Sequence, residues 1–174
     1  MKYALILLTA FSVFISTESC FEQKKSDKIK CVDLESVYKQ NMQDSILVTG
    51  WYYILGNENG FKRQLDKTEI IYYIDPKPIL VKEHFDKIEI YKTNFQGQYD
   101  DYIGLSIRIS KNCEGIWADA TEKSIGKKLG LIIDNVLVSA PTVNMRIEGG
   151  VSALNRDVYS REELKNFEFL LNKQ

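Results

Sequence analysis

The sequence contains little histidine, cysteine and proline: one, three and three of its 174 residues. The single histidine, His84, excludes a metal site built from several histidines and leaves one candidate base for a catalytic triad. The formal net charge of −1 offers no basic surface for nucleic acid, so that class of partner is excluded. What is plentiful is apolar: 44% hydrophobic and 11% aromatic residues predict the core of one globular domain.

The sequence also lacks a hydrophobic run long enough to cross a membrane. The apolar run Ala4–Ile15 is shorter than the roughly 20 residues of a spanning helix and has the length of a signal-peptide core. We therefore predict a signal peptide over residues 1–19. Cys20 follows it directly, as in bacterial lipoproteins, although Glu18 departs from their cleavage motif. This predicts lipid attachment at Cys20; the alternative is an ordinary secreted protein cut at a nearby bond.

Three cysteines in an exported chain leave one unpaired. With Cys20 lipidated, Cys31 and Cys113 remain, and they form either a disulfide or two buried free thiols. Residues 20–31 are polar and rich in lysine, which predicts a flexible linker between the lipid and the domain. Residues 32–174 then form a single domain.

The rest of the chain alternates between helical and strand patterns. A helix is predicted from Asp33, its cap, to Met42, with a strand over Ser45–Leu55. A second strand, Glu69–Ile74, is expected to end before Pro76 and Pro78. Further elements are predicted as strand Asp86–Lys92, strand Tyr102–Ser110, helix Asn112–Gly126 with Asn112 as its cap, a loose strand in Met145–Asn155, and helix Ser160–Lys173 with a Ser160–Glu163 capping box. Helical spacing predicts an apolar stripe on the first helix, Leu34, Val37, Tyr38 and Met42, and one on the last helix, Leu164, Phe167, Leu170 and Leu171.

The stretch LIIDNVLVSAP, residues 131–141, predicts a hairpin with Asp134–Asn135 as its two-residue loop. In this register Ile133 faces Val136, and Leu131 faces Val138. One face of the hairpin would then be continuously apolar: Leu129, Leu131, Ile133, Val136, Val138 and Ala140. Replacement of Asn135 by glycine is expected to be tolerated, because glycine accepts positive φ.

Residues 102–171 resemble the head subdomain of the large periplasmic domain of SecD/SecF-type protein-export membrane components. The motifs that carry the resemblance are ATEKSIGKKL at a helix end, the LIIDNVLVSAP hairpin, Gly149–Gly150 in a strand, and SREEL opening the last helix. A weaker resemblance begins near residue 48. The resemblance as a whole implies an α+β fold of mostly antiparallel sheet, with two main helices packed on one face.

The resemblance also implies a capacity to contact extended polypeptide outside the membrane. We therefore expect a non-catalytic module that binds protein or peptide and is tied to the membrane by a lipid, in a chain with no transmembrane helix after its signal. An exposed apolar or aromatic patch would serve this binding, drawn from those of Trp51, Tyr53, Tyr72 and Tyr73 that lie on the side of their strands that faces out.

An enzyme or a small-ligand-binding protein is the alternative, with its site near His84 or near Asp100 and Asp101. His84 is expected to be an exposed residue at a strand edge, and the carboxylate pair is a weak candidate for binding a cation. No phosphate-binding loop or nucleophile motif is present, and no cofactor is expected. A structural surface lipoprotein is a third alternative.

Overall fold

The computed structural model describes residues 33–93, 102–155 and 158–173. The predicted signal peptide and linker lie outside these residues. The described chain folds into three α-helices and eight β-strands: α1 (Leu34–Asp44), β1 (Gly50–Leu55), β2 (Phe61–Gln64), β3 (Ile71–Val81), β4 (Phe85–Thr93), β5 (Tyr102–Ile109), α2 (Glu114–Lys123), β6 (Leu129–Ile133), β7 (Val136–Ser139), β8 (Val151–Asn155) and α3 (Arg161–Asn172).

The larger sheet has five strands in the order β2-β3-β1-β6-β7, and each neighbouring pair is antiparallel. Its two outer strands, β2 and β7, also approach each other. Leu65, just after β2, bridges to Leu137 in β7, and the Asp66 amide donates to the Leu137 carbonyl at 2.9 Å. The sheet therefore curls until its edges meet, which satisfies strand edges that would otherwise be open.

The smaller sheet has three antiparallel strands in the order β4-β5-β8. The predicted α+β class with mostly antiparallel strands is confirmed, and the strands divide between two sheets. The main core lies between them and takes in α2 and α3. Its members include Trp51, Leu80, Leu105, Ile107, Leu131, Ile133, Trp117, Tyr159, Leu164 and Leu171.

A second, smaller core lies on the other face of β1 and β6. It contains Leu47, Tyr52, Ile74, Ile132 and Leu137. Trp51 and Tyr52 point to opposite faces because side chains alternate along a strand, so β1 contributes to both cores. All five residues of β6 are buried.

Helix α1 begins as predicted, with Asp33 accepting a hydrogen bond from the Glu35 amide at 3.0 Å. Its predicted apolar stripe differs at the end, since Met42 is exposed and the neighbouring Asn41 is buried. The polar Asn41 is inside because its side chain bonds to the sheet. Its Nδ2 donates to the Pro76 carbonyl at 2.8 Å, and its Oδ1 accepts from the Val48 amide at 3.2 Å.

The prediction that Pro76 and Pro78 end the second strand is wrong. Strand β3 continues through both to Val81. Its pairing with β1 shifts register between Tyr52, which faces Pro78, and Ile54, which faces Ile74. Proline is tolerated at such an irregularity because no ladder bond requires its missing N–H.

The hairpin of β6 and β7 has the predicted loop, with φ values of 50° at Asp134 and 64° at Asn135. Ile133 faces Val136 as predicted, but the register then shifts, so that Leu131 faces Ser139 instead of Val138. Val136 is also exposed, contrary to the predicted apolar face. A bulge of this kind places two residues opposite one, which the residue pattern alone does not reveal.

Helix α2 starts later than predicted. Asn112 lies in a 3-10 turn, Lys111–Cys113, and the position before the helix is Cys113, so Asn112 is not the cap. Helix α3 begins with the predicted capping box, in which Ser160 and Glu163 bond each other's backbone amides. Its buried residues, Leu164 and Leu171, belong to the predicted apolar stripe.

Candidate functional site

His84 is buried, with 0% of its surface exposed, so the prediction of an exposed strand-edge residue is wrong. It ends the 3-10 turn Lys82–His84, and its Nδ1 accepts a hydrogen bond from the Val81 amide at 3.2 Å. Burial lowers the pKa of the imidazole, and nearby Glu83 partly opposes this. The geometry makes His84 an internal acceptor that holds a turn.

The other predicted site residues at the N-terminus and in the β4–β5 loop lie outside the described residues: Cys20, Cys31, Asp100 and Asp101. Cys113 is described; it is fully buried, and its sulfur is engaged in a disulfide. Within the described ranges, no group of three or more histidine, cysteine or acidic side chains is placed to hold a metal ion.

The four predicted surface aromatic residues do not form one exposed patch. Trp51 is 1% exposed and belongs to the main core, so it does not lie on a side of its strand that faces out. Tyr72 packs against the second core, whereas Tyr53 packs against the main core. Tyr73 is half-buried, and its pKa is raised by burial, by the charge of Glu58 and by the hydrogen bond that its hydroxyl donates to the Glu58 carboxylate.

Two hollows meet beside Tyr53 and share Asp75 and Lys123. One, of about 290 Å³, includes Leu34 from the start of α1 and Ile116 from α2. The other, of about 860 Å³, is bordered by the end of β1 and by Ser124, Lys127 and Lys128 of the α2–β6 connection. These hollows are wide and carry no convergent catalytic groups.

A more apolar hollow, of about 420 Å³, lies against both tryptophans of the chain. The rings of Trp51 and Trp117 stand 5.1 Å apart at an angle of 49°. Each indole N–H is buried and has no acceptor among the described residues. A buried donor without an acceptor costs about 1–3 kcal/mol, so the two indole N–H groups lower the stability of the core beside this hollow.

One side of this hollow is strand β8, through Val151, Ser152 and Ala153. The opposite side is the irregular segment that follows β7, through residues 141–145 and Ile147. Met145 is 68% exposed there. The hollow is therefore a cleft between the last strands of the two sheets.

Helix α2 holds the irregular segment in place. The Ile147 amide donates to Thr121 Oγ1 at 2.9 Å, and Arg146 bonds Asp119 at 3.1 Å and Glu122 at 2.5 Å. Because α2 also carries Trp117, the same helix positions both this tryptophan and the irregular segment that lines the cleft.

A second hollow, of about 250 Å³, continues the cleft along β8 and shares Pro141 and Ala153 with the first. It contains Tyr159, whose hydroxyl lies 3.0 Å from both the Asp66 carboxylate and the Val138 carbonyl. Burial and Asp66 raise the pKa of Tyr159, so this phenol stays protonated and donates. We call the two hollows together the β8 cleft.

Sequence reasoning missed the β8 cleft. The cleft is lined by strand β8 and by the irregular segment after β7. The spacing of apolar residues along the sequence does not indicate that these two parts of the chain lie side by side. The signal that could have indicated it is the polar stretch after Pro141 with Met145 exposed inside it, next to a strand of small residues.

The family profile described as "SecDF, P1 head subdomain" matches residues 60–173. The protein translocase subunit SecD of Rhodothermus marinus is 34% identical over 76 residues, which are 42% of this chain and 12% of that protein. SecD of Leptotrichia buccalis is 38% identical over 74 residues, 41% of this chain and 18% of that protein. The match therefore spans less than a fifth of the length of these relatives.

Solved SecDF structures have the same fold. A structure titled "Structure and function of a membrane component SecDF that enhances protein export" has a TM-score of 0.54 and 15% identity, covering 76% of this chain and 68% of that one. A SecDF crystal structure in a super-membrane-facing form also has a TM-score of 0.54, with 16% identity, over 72% of this chain and 18% of that one. No helix among the described residues is long and apolar enough to span a membrane.

Proposed function

The chain belongs to the family of SecDF P1 head subdomains, and we propose that it is a membrane-tethered, non-catalytic module of the cell envelope that binds extended polypeptide. The family and the fold support a link to protein export, since the SecDF structure with the same fold is titled as a component that enhances it. The tether is the predicted lipid on Cys20 with the linker over residues 20–31.

The observation that carries the binding proposal is the β8 cleft, which combines an apolar wall with a strand edge. Extended peptides bind proteins in this way, through main-chain hydrogen bonds to an edge and side chains in neighbouring pockets. The proposed partner is therefore an unfolded or extended segment of another protein.

The alternative of an enzyme centred on His84 receives no support from the geometry. A general base must reach the proton that it removes, whereas His84 has none of its surface exposed and accepts from Val81. The described residues bring no nucleophile and base together in the β8 cleft.

The proposed lipid attachment is tested by mass spectrometry of the protein isolated from a bacterial envelope. We expect a mature N-terminus at Cys20 that carries a lipid. An unmodified N-terminus at another residue would show that the chain is secreted without a lipid anchor.

Binding is tested with a secreted protein that has been reduced and alkylated so that it stays unfolded. A fluorescent label on it should show rising anisotropy when the full chain is added, and the folded form of the same protein is the matched control. Equal binding of both forms, or no binding of either, would contradict the proposal. Cleavage of the unfolded protein during the incubation would favour an enzyme instead.

A further inference from the structure

Strand β8 presents open main-chain groups to the β8 cleft. Among the described strands it pairs with β5 alone, and the bond from the Ile109 amide to the Gly150 carbonyl, 2.7 Å long, fixes the hydrogen-bonding pattern. In an antiparallel pair the bonded positions alternate, so Ser152 and Leu154 bond β5. Val151 and Ala153 then turn their N–H and C=O groups outward.

The opposite edge of the same sheet shows how such an outward group is otherwise satisfied. There the Ile90 amide of β4 donates to the Glu168 carboxylate of α3 at 3.2 Å. No described residue makes the corresponding contact with the outward amides of Val151 and Ala153. Among the described residues, the β4 edge therefore has an outward amide satisfied by a side chain, whereas the β8 edge at Val151 and Ala153 has none.

The cleft beside this open edge suits apolar side chains. Val151 and Ala153 line the hollow that contains Trp51 and Trp117, and Ala153 also lines the hollow of Tyr159. Side chains of an added strand would alternate between the cleft and solvent with a spacing of two residues. Two neighbouring hollows joined at Ala153 fit alternate side chains of one extended chain.

Acidic side chains outnumber basic ones near the Val151 end of the cleft. Arg146 is surrounded by Asp119, Glu122 and Glu148. The Glu114 side chain lies over Gly150, with its Cγ 2.6 Å from the place a Cβ would take, and Arg108 pairs with Val151. On the opposite side of the hollow, Lys128 contacts Thr142 Oγ1 at 3.1 Å, so the excess of four carboxylates over two arginines is confined to the Val151 end and favours a positively charged group of the ligand there.

We infer that β8 is the docking edge for an extended peptide, which adds a fourth strand beside Val151 and Ala153, places apolar side chains against Trp51 and Trp117, and carries a lysine or arginine next to them. This rests on the proposed function, because it names the place and the peptide chemistry of the proposed binding.

The test uses the two tryptophans, since both border the cleft and the chain has no others. The probe is a labelled eight-residue peptide of alternating leucine and threonine with a lysine added at each end, and the full chain is kept in mild detergent. Binding should raise the anisotropy of the label and shift the tryptophan emission at the same peptide concentration. The same peptide with glutamate at its ends should bind at least about threefold more weakly.

Proline at position 153 tests the strand edge. Ala153→Pro removes only an outward N–H, so the β5–β8 ladder is kept, and peptide affinity should fall about tenfold. Ala153→Thr keeps the N–H and is the matched control, with affinity close to that of the original chain. Circular dichroism and the urea midpoint verify that both variants fold.

The outcomes separate this inference from the proposed function. Anisotropy that rises without any change in tryptophan emission, or equal affinity of the proline and threonine variants, would overturn the β8 site and leave polypeptide binding in place. A dimer that dissociates in Ala153→Pro would show that a second copy of the chain fills the edge. No peptide binding, together with no binding of the unfolded protein, would overturn both.

Discussion

Asn41 stabilises the contact between α1 and the larger sheet through several buried hydrogen bonds. Its amide donates to Pro76, contacts the Tyr52 hydroxyl at 3.3 Å, and accepts from Val48. Asn41→Ala would leave buried polar groups unpaired, and we expect the free energy of unfolding to fall by about 2–4 kcal/mol. Urea unfolding measures this. The exposed neighbour Gln40 is the control, because Gln40→Ala should change stability by no more than about 0.5 kcal/mol.

His84 predicts a pH dependence of stability. Burial lowers its pKa in the folded protein below the value of about 6.5 in the unfolded chain. Between these two values the unfolded chain binds a proton and the folded protein does not, so stability is full above about pH 6.5 and falls as the pH drops below it. We expect the urea midpoint to decrease from pH 7.5 to pH 5.

The control variant is His84→Asn, whose side-chain oxygen replaces Nδ1 as the acceptor for the Val81 amide. Its midpoint should change less over the same pH range. Glu163, whose pKa is lowered to about 2 by Lys67 and Ser160, contributes only at more acidic pH and does not confuse the result. An equal pH dependence in both proteins would mean that His84 is not responsible.

At the scale of elements, the β6–β7 turn is also a tertiary contact. Asn135 has the positive φ that glycine prefers, yet its Oδ1 accepts from the Leu47 amide at 2.9 Å and from Arg63 at 2.6 Å. The sequence alone predicts that Asn135→Gly is tolerated. Because the substitution removes these bonds, we expect the free energy of unfolding to fall by about 1–3 kcal/mol, measured by urea unfolding. Asp134→Gly is the matched control, because Asp134 is exposed, and it should be neutral or mildly stabilising.

The two strands of the same hairpin provide a second comparison. Ile133→Asp should unfold the domain because it buries an unpaired charge in the main core. Val136 faces Ile133 across the ladder but is 44% exposed. Val136→Asp should therefore keep the native circular dichroism spectrum, and unfolding by both substitutions would mean that the turn end of the hairpin is more deeply covered than the structure indicates.

Local signals predicted the elements whose causes are local. The Asp33 cap, the Ser160–Glu163 box and the Asp134–Asn135 turn each depend on residues within a few positions of one another. The path of β3 through Pro76 depends instead on a register shift against β1. The register shift between Leu131 and Ile132 likewise depends on how β7 pairs with β6. Such features are set by tertiary packing, which overrides the preference of single residues.

The same reasoning applies to the candidate site at the scale of the whole molecule. The sequence offered Trp51 as one candidate for a surface patch without indicating which side of its strand faces out. Here β1 lies between two cores, so both of its faces are covered. The β8 cleft exists only because the two sheets come together. The burial of His84 follows from the same packing.

We expect the disulfide of Cys113 to connect the domain to the proposed tether, and the identity of its partner bears on whether Cys20 can carry the lipid. We expect Cys31, because the start of α1 and α2 share a hollow: Leu34, three residues after Cys31, and Ile116, three after Cys113, both line it. A bond that closes this loop of about 80 residues should stabilise the folded state by about 4 kcal/mol.

Urea unfolding with and without a reductant tests the pairing in Cys20→Ser and Cys31→Ser. Reduction should lower the midpoint of the original chain and of Cys20→Ser, whereas Cys31→Ser should already have the lower midpoint and should not respond. A cysteine whose sulfur is bonded to a lipid cannot also form a disulfide. Pairing of Cys113 with Cys31 therefore leaves Cys20 available for lipidation. If Cys20→Ser is the variant that no longer responds, Cys113 pairs with Cys20, and the lipid anchor proposed for Cys20 is wrong.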